Sequence, residues 1–327
     1  MQLTFCRHYV RKIILIFSLI MSPLSVGHPI KAPFNATIIG SGAPQYNPHR
    51  ASASVLITAG KDKLLLDMGN GTQANLAKIG IQAQDLNAIM FTHHHLDHDE
   101  EFAPIFIGAL LGRHTFTIMG PPKTKQLVDM DLDFYTQDID YRLSRQNRRL
   151  SERKGAFTIK ELKGGESFLF EGIRISTLKV PHSIYTLAYR FDYQGQSIVV
   201  TGDLTYTDKL AHFAQNADVM IIDSGGMIMS HNKNSQGHNP HQVNAAPSAS
   251  QNKDKQRTNK IKAHLNLAES SRIAKNANVK TLVYTHFVPG IINKAASLAI
   301  IRQQYQGKVI FGKDLLKIGM PKSATKK

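Results

Sequence analysis

Four side chains of the kind that bind metal ions lie within residues 93–98 of this chain. They are His93, His95, Asp97 and His98, in the pattern His-x-His-x-Asp-His. The preceding residues 88–92 form a short apolar run, which predicts a buried strand that delivers the histidines onto a loop. In an extended loop His93 and His95 point to the same side and can share one cation, whereas Asp97 and His98 are offset enough to hold another.

The donor types in this loop narrow the choice of metal. Imidazoles and a carboxylate without a thiolate suit zinc, manganese or iron. An alternative interpretation treats the loop as a polar cap on a helix, with the acids at 97 and 99–101 favoured by the helix dipole. That interpretation leaves the clustered histidines unexplained. The sequence therefore favours a metal site at a strand end, where α/β proteins place functional residues.

The first 27 residues predict a secretory signal peptide. Three basic residues precede an apolar run over 13–26, and small residues occupy the −3 and −1 positions of a cleavage after Gly27. This run is too short to span a bilayer comfortably, although an uncleaved anchor is an alternative. We therefore expect a periplasmic or secreted protein with no stable membrane span after cleavage. The single cysteine, Cys6, lies in the leader, so the mature chain holds no disulfide.

The chain is strongly basic. Its formal net charge of +16 falls to +13 once the leader, with three basic and no acidic residues, is removed. This balance favours anionic substrates, anionic lipid or nucleic acid as partners. The densest basic segment, 142–154, has roughly helical spacing and is interpreted as a solvated helix face, with a binding surface as the alternative. It lacks the interleaved aromatic residues that stack on bases.

Apolar runs and turn residues predict the elements along the chain. Predicted helices cover 72–79 and 266–276, and predicted strands cover 36–40, 52–58, 63–67, 88–92, 115–119, 157–162, 167–170, 173–180, 186–193, 197–201, 219–223 and 281–285. Asp67, His182, Asp203 and His286 stand at strand ends. Taken singly, Asp67 is equally well explained as a turn former before glycine, and a lone histidine such as His182 is more often structural than a ligand.

Residues 231–262 predict a flexible insertion. The segment is rich in Asn, Gln, Ser, Lys and His and has almost no large apolar side chains, so it cannot bury enough surface to hold a fixed structure. His231, His238 and His241 within it are interpreted as solvated residues, with metal binding as the alternative. Order is expected to return at His264.

The histidines and aspartates at the strand ends form a series that resembles the ligand series of the metallo-β-lactamase superfamily, over essentially the whole mature chain, 28–327. The series is His93, His95, Asp97, His98, His182, Asp203 and His286. The resemblance implies an α/β fold, a four-layer αββα sandwich with two metal ions at one edge. One ion would be held by His93, His95 and His182, and the other by Asp97, His98 and His286. Asp203 would bridge them, and zinc is the first choice of metal, with manganese or iron as alternatives.

Several segments are similar to the ribonuclease Z-like branch, namely 40–44, 50–54, 67–72 and 285–287. In that branch the histidine at the position of His264 assists catalysis, which implies a proton donor or oxyanion stabiliser here. Three departures argue against true ribonuclease Z. Only 183–202 separate the third histidine from the bridging aspartate, too few for a tRNA-gripping arm. Asp223-Ser224-Gly225-Gly226 replaces a His-Glu pair, and an exported protein would not meet tRNA precursors.

The leading hypothesis is an exported binuclear hydrolase of small anionic esters, aryl sulfates or phosphodiesters. Metal-bound hydroxide would be the nucleophile, Asp203 and Asp97 would hold the metals that carry it, and His264 would protonate the leaving group. Alternatives are a ribonuclease Z-like nuclease, a thioester or lactone hydrolase of the same fold, and a non-catalytic metal-binding or nucleic-acid-binding module. A small ester is the expected partner, nucleic acid is less favoured, and a homodimer is left open.

Overall fold

The computed structural model describes residues 32–112, 114–153, 155–230 and 263–321 of the 327-residue chain. The predicted signal peptide over 1–27 and the predicted insertion over 231–262 lie outside the described residues. Within the described ranges, no helix combines the length and the apolar content needed to cross a membrane.

The first sheet is built mainly from the N-terminal half of the chain. Its strands are β1 (Phe34–Gly40), β2 (Ser54–Ala59), β3 (Asp62–Leu66), β4 (Ala88–Met90), β5 (Phe116–Gly120), β6 (Phe157–Glu161) and β14 (Leu316–Gly319), in the order β14-β1-β2-β3-β4-β5-β6. The predicted hairpin is confirmed, since β2 and β3 pair antiparallel with Ala59 opposite Asp62. From β3 to β6 the strands are parallel.

The second sheet is built from the C-terminal half. Its strands are β7 (Ser167–Phe170), β8 (Ile173–Val180), β9 (Thr186–Tyr193), β10 (Gln196–Val200), β11 (Val219–Asp223), β12 (Thr281–Thr285) and β13 (Lys308–Phe311), in the order β13-β12-β11-β10-β9-β8-β7. An antiparallel meander runs from β7 to β10. The strands from β10 to β13 are parallel.

The described residues form seven α-helices. They are α1 (Thr72–Lys78), α2 (Leu96–Asp99), α3 (Phe102–Leu111), α4 (Thr124–Ser144), α5 (Asp208–Phe213), α6 (Leu267–Asn276) and α7 (Lys294–Ile301). All but α2 cover the outer face of a sheet. Side chains of α1, α3 and α4 share a core with the first sheet, and those of α5, α6 and α7 share one with the second. A further core lies between the two sheets. The predicted four-layer αββα sandwich is thus confirmed.

Alternation of side chains along the strands explains why both faces of each sheet are buried. In β1 to β3, Ile38, Ile57 and Leu64 belong to the central core, whereas their neighbours Ile39 and Leu56 belong to the core under the helices. Successive strand residues point to opposite faces, and a sheet covered on both faces reads as a continuous apolar run.

The parallel strands set the position of the polar strand-end residues. In the first sheet Asp67 follows β3 and His93 lies shortly after β4, and in the second sheet Asp203 lies shortly after β10 and His286 follows β12. Carboxyl ends of neighbouring parallel strands meet at one edge of a sheet. The two sheets contact each other there, because Leu187 N donates to Thr92 O at 2.9 Å. Both sheets therefore present polar loops to one shared edge.

The basic segment 142–154 divides into two parts. Arg142 lies on α4 and pairs with Asp138 at 2.7 Å, as a solvated helix face predicts. Arg148 donates to Leu111 O at 2.8 Å and to Gly112 O at 2.7 Å. These carbonyls lie at the C-terminal end of α3, where backbone acceptors lack partners within the helix. Arg148 therefore has a structural role that its spacing did not reveal.

Candidate metal centre

Three histidines from two loops meet at one point. His93 Nε2 lies 3.0 Å from His95 Nδ1, which lies 3.3 Å from His182 Nε2. Asp203 Oδ2 lies 4.0 Å from both His93 Nε2 and His182 Nε2. The four ligand atoms lie within 4.8 Å of one another and form a first group that could hold a cation.

A second group lies on the other side of Asp203. Asp97 Oδ2 lies 3.5 Å from His98 Nε2 and 3.0 Å from His286 Nε2. The same Asp203 oxygen that faces the first group lies 3.6 Å from His98 Nε2 and 3.3 Å from His286 Nε2. The structure therefore brings all seven predicted ligands together and places Asp203 between the two groups, where a bridging ligand must lie.

The residues of both groups fit divalent cations. Ligand atoms about 2.0–2.1 Å from a tetrahedral ion lie about 3.3 Å apart. Four of the six separations within the first group are 3.0 to 4.0 Å, and none exceeds 4.8 Å. His98 Nε2 is buried with no hydrogen-bond partner among the described residues. An unpartnered buried polar atom is costly, and a cation would supply the missing partner. The fold and these groups thus indicate divalent metal binding.

Hydrogen bonds behind the histidines orient their rings. His182 Nδ1 donates to Ala263 O at 2.9 Å, and His98 Nδ1 donates to Asp67 Oδ2 at the same distance. With Nδ1 engaged in this way, both rings present Nε2 to the cation position. His95 is turned the other way, with Nδ1 facing the first group and Nε2 3.2 Å from Ser183 Oγ. The tautomers are inferred from these partners.

Asp67 supports the second group from behind. Its Oδ1 accepts Thr92 N at 2.7 Å, and its Oδ2 accepts Thr92 Oγ1 at 2.8 Å in addition to His98. The sequence left Asp67 balanced between a turn former and support for a ligand. Both descriptions hold, since Asp67 also has a positive φ of 60°.

The backbone at the site departs from ordinary strand and helix geometry. Asp67 and His286 have φ values of 60° and 64°, in the left-handed region. Non-glycine residues there cost about 1–3 kcal/mol and persist where the surroundings hold them. Gly202, with φ 61°, lies so close to Thr92 that an added Cβ would stand 2.8 Å from the threonine Cβ. Glycine is therefore required beside Asp203.

The two groups differ in electrostatic environment. Burial lowers the pKa of His93 and His95, and both are neutral at neutral pH. Burial also disfavours the charged form of His286, but the carboxylate of Asp203 and the hydrogen bond to Asp97 outweigh it and raise the pKa of that imidazole. The surrounding carboxylates thus favour positive charge at this position, and a cation bound to the second group would compete with a proton on His286.

His264 lies at the edge of the second group and is paired with Asp223. Its Nδ1 lies 2.6 Å from Asp223 Oδ2, and its ring centroid is 5.6 Å from that of His286. Burial opposes the charged imidazole, but the hydrogen bond and charge of Asp223, with further carboxylates nearby, raise the pKa of His264 to about 9. The ring is thus a protonated group beside the metal ligands.

Two features position His264. A capping box begins α6 two residues later, with Asn266 accepting from Glu269 N at 2.8 Å and Glu269 accepting from Asn266 N at 2.9 Å. On the other side, an added Cβ at Gly225 would stand 2.5 Å from the His264 Cβ, so a glycine allows this close approach.

Asp223 is the site residue that sequence reasoning missed. It appeared only as part of a departure from the ribonuclease Z-like pattern, although it ends the apolar run 219–223 in the same way that Asp203 follows the run 197–201. Its side chain is buried and belongs with Asp203, His264 and His286 to a third group of candidate ligands. The strand-end position was the signal that could have identified it.

Replacing Asp67 with asparagine is expected to weaken metal binding about 10–100-fold, the usual effect of removing a partner that orients a ligand. Asparagine tolerates the left-handed conformation and keeps the side-chain size, so the fold should be retained. Zinc titration against a competing chelator measures the change. Unchanged affinity in a folded variant would show that Asp67 serves only the turn.

Comparison with known proteins agrees with this geometry. The family model described as the beta-lactamase superfamily domain matches residues 54–287. A protein named Ribonuclease Z from Mycobacterium bovis (strain BCG / Pasteur 1173P2) is 26% identical over 291 residues, which cover 86% of this chain and 96% of that protein.

Solved structures show the same fold. The metallo-beta-lactamase fold protein YhfI from Bacillus subtilis aligns with a TM-score of 0.64 and 21% identity, over 88% of this chain and 99% of that one. The short form of human tRNase Z aligns with a TM-score of 0.61 and 18% identity, with the same coverage. Zinc-bound PqqB from Methylobacterium extorquens aligns with a TM-score of 0.61 and 14% identity, over 88% and 100% of the two chains.

The family model spans most of the chain, and the fold and the clustered histidines and aspartates are those expected of its members. The resemblance inferred from the strand-end residues is thereby confirmed, and this protein belongs to the metallo-β-lactamase superfamily as a metal-dependent hydrolase.

Proposed function

We propose that this protein hydrolyses phosphodiester bonds at a centre of two divalent cations. The observation that carries the proposal is the position of Asp203, whose Oδ2 lies 3.3–4.0 Å from ligand atoms of both groups. One carboxylate oxygen shared by two cation positions is the arrangement of a two-metal site that clamps the attacking and leaving oxygens of an in-line displacement.

The chain's own residues have separable tasks in this proposal. When bound, the two cations supply an activated water and neutralise developing charge on the substrate. Asp203 and Asp97 would be the carboxylate ligands that hold the cations together with the imidazoles. His264 holds the proton that the leaving oxygen requires, and Asp223 orients its ring and keeps it protonated.

The choice of a phosphodiester over a sulfate ester is supported by the curated relatives. The protein named Ribonuclease Z matches 86% of this chain and 96% of its own length, and phosphodiester cleavage is what that name describes. Similarity to these relatives favours the nuclease alternative of the sequence analysis over its leading hypothesis. The segment 183–202, however, is too short to contain a tRNA-gripping arm. For that reason the proposal is a general phosphodiesterase, and a ribonuclease Z-like nuclease is the second candidate.

Zinc is the proposed metal. The nitrogen-rich donor set of the first group suits zinc, and the zinc-bound PqqB neighbour shares the fold. Manganese and iron are the alternative metals to test, because the second group includes a carboxylate and a shared oxygen donor.

Export is also proposed, on the basis of the predicted leader over 1–27. Sequencing the N-terminus of protein recovered from a cell fraction tests it. A chain beginning at His28 in the periplasm or medium supports export, whereas a full-length chain in the cytoplasm contradicts it.

The experiment that tests the function is metal-dependent turnover on a matched panel. Purified protein, stripped of metal and then reloaded with zinc, manganese or iron, is given bis(p-nitrophenyl) phosphate, p-nitrophenyl sulfate, p-nitrophenyl acetate and a tRNA precursor. Metal-dependent cleavage of the diester supports the proposal, and cleavage of the precursor as well supports the nuclease. Cleavage of sulfate or acetate alone overturns it.

A further inference from the structure

Exposed apolar side chains are concentrated around the candidate metal centre. In the described part of the chain ten large apolar side chains are exposed, and five of them adjoin the loops that carry the ligands. We call these five the apolar rim, and they are Tyr46 (80% exposed), Leu96 (72%), Ile184 (38%), Val288 (40%) and Ile291 (67%).

Two members of the apolar rim flank the first group of ligands. Leu96 is exposed and lies between His95 and Asp97 in the chain, next to a ligand of each group. Ile184 follows Ser183, whose Oγ lies 3.2 Å from His95 Nε2. Both residues are therefore on the loops that meet at His95.

The other three members flank the second group. Val288 and Ile291 follow His286 on the same loop, and Ile291 O accepts Ser230 N at 2.7 Å, which ties that loop down. Tyr46 lies on the loop that follows β1. That loop is joined to the residue after His286, because Ala43 N donates to Phe287 O at 3.0 Å. The apolar rim thus draws on three of the loops that carry ligands and on the loop after β1.

The apolar rim contrasts with what it surrounds. The ligands are imidazoles and carboxylates and are largely buried, and residues 183–185 and 287–292, which continue the ligand loops, contain no lysine or arginine. Two cations contact these segments: Lys179 lies over the Tyr185 ring, and Arg50 lies over the Phe287 ring while it donates to Gly312 O. Binding a polynucleotide depends on cationic side chains that meet successive phosphates. A grouping of exposed apolar side chains around a few convergent polar groups is instead typical of a site for a ligand that is apolar apart from one polar centre.

We infer that the apolar rim binds an apolar substituent of the ester, so that the substrates are phosphodiesters bearing an aryl or alkyl group rather than polynucleotides. This inference rests on the proposed function. In the reaction water adds to phosphorus, the bond from phosphorus to one ester oxygen breaks, and that oxygen leaves as an alcohol with a proton. The other substituent stays on the phosphate and lies against the apolar rim.

The test uses p-nitrophenyl phosphodiesters that share one leaving group and differ in the second substituent: methyl, phenyl, octyl and thymidine-5′-yl. With the zinc-loaded protein, kcat/KM for the phenyl or octyl ester is expected to exceed that for the methyl ester at least about tenfold, since each buried methylene contributes several-fold. A larger gain for phenyl than for octyl identifies an aryl substrate, and the reverse identifies an alkyl one.

Variants of the apolar rim locate the effect. Ile291→Ser and Tyr46→Ser are expected to lower the octyl-to-methyl or phenyl-to-methyl ratio at least threefold. Leu169→Ser is the matched control, because Leu169 is 65% exposed, close to the 67% of Ile291, but lies on the edge strand β7. The ratio in this control should equal that of the unaltered protein.

A binding measurement separates this inference from the proposed function. Methyl octylphosphonate and methyl methylphosphonate are not turned over and differ only in the length of the alkyl group. Calorimetric titration should show that the octyl compound binds more tightly, and that Ile291→Ser reduces this difference. Equal rates and equal binding across the series overturn the inference, as does a thymidine ester preferred over all others. If no diester is cleaved but the octyl compound still binds through Ile291, the proposed function fails and the apolar site stands.

Discussion

The Asp203→Ala variant is expected to lose bound metal and to lower turnover by at least about a thousandfold, at the upper end of the effect of removing one preorganised catalytic group. Asp203 Oδ2 is the only described carboxylate oxygen placed within 4.0 Å of ligand nitrogens from both groups. Without it, neither cation keeps a full set of ligands, and the two cation positions lose the atom that fixes their separation.

Burial adds to this effect. Asp203 is 4% exposed, and the positive charges of His286 and His98 hold the pKa of its carboxyl well below the usual range despite the opposing effect of burial. Removing one partner of a buried charged set leaves the others uncompensated, a change that costs about 3–5 kcal/mol. The variant is therefore expected to unfold at a lower temperature as well as to lose metal.

Metal analysis by mass spectrometry, together with turnover on bis(p-nitrophenyl) phosphate, measures the change. Asp218→Asn is the matched control, since Asp218 is 6% exposed and accepts Ser197 N at 2.8 Å in the same sheet, with no ligand beside it. The control should lose stability but keep both metals. Full metal content and activity in Asp203→Ala would refute the bridging role.

The architecture was predictable because apolar runs and their ends are strong local signals. Strands at 167–170, 173–180, 186–193, 219–223 and 281–285 agree with the structure residue for residue. The 21-residue helix α4 was not delimited in advance. Its core-facing stripe, Val128, Leu132, Tyr135, Ile139 and Leu143, has helical spacing. The exposed apolar residues Met130, Phe134 and Tyr141 lie between the members of that stripe and obscure its period in the sequence.

The site was predictable in its membership but not in its contacts. The motif over 93–98 and the strand-end positions of His182, Asp203 and His286 named the groups that meet. Asp223 and His264 are 41 residues apart in sequence, so their contact could not be predicted from spacing. Asp223 ends β11, and the parallel pairing of β11 with β12 brings it to the edge that His286 occupies. The apolar rim likewise depends on exposure, which spacing alone does not give.

The direction of each ring was also beyond the sequence. His93 and His95 were expected to point to one side, and they do, but with different nitrogens: Nε2 in the first and Nδ1 in the second. The difference follows from partners outside the motif, Thr92 Oγ1 beside His93 Nδ1 at 3.0 Å and Ser183 Oγ beside His95 Nε2. Such contacts arise from tertiary packing.

The second large effect is expected from His264→Ala, which should keep both metals yet reduce kcat about 10²–10⁴-fold, the range for removal of a general acid. The loss should be greatest for diesters with poor leaving groups, such as alkoxides, and smallest for p-nitrophenolate, which leaves without a proton. Metal analysis of the same protein provides the control. Loss of one metal would instead make His264 a ligand, as its place in the third candidate group allows.

The dependence on pH separates proton donation from a merely structural role. A general acid must be protonated to act. The pKa of His264 is raised to about 9 in the metal-free protein, so the ring holds its proton through neutral pH and loses it as the pH rises past that value. Cations bound to Asp203 and Asp97 neutralise two carboxylates that raise it, so the alkaline limb of the loaded enzyme should fall below 9. Asp223→Asn removes the remaining charge and should shift that limb to still lower pH, whereas His264→Ala should abolish it. If the alkaline limb of the pH profile stays at the same pH in both Asp223→Asn and His264→Ala, the proton given to the leaving group comes from another residue. Only proton donation by His264 predicts that the first variant shifts the limb and the second removes it.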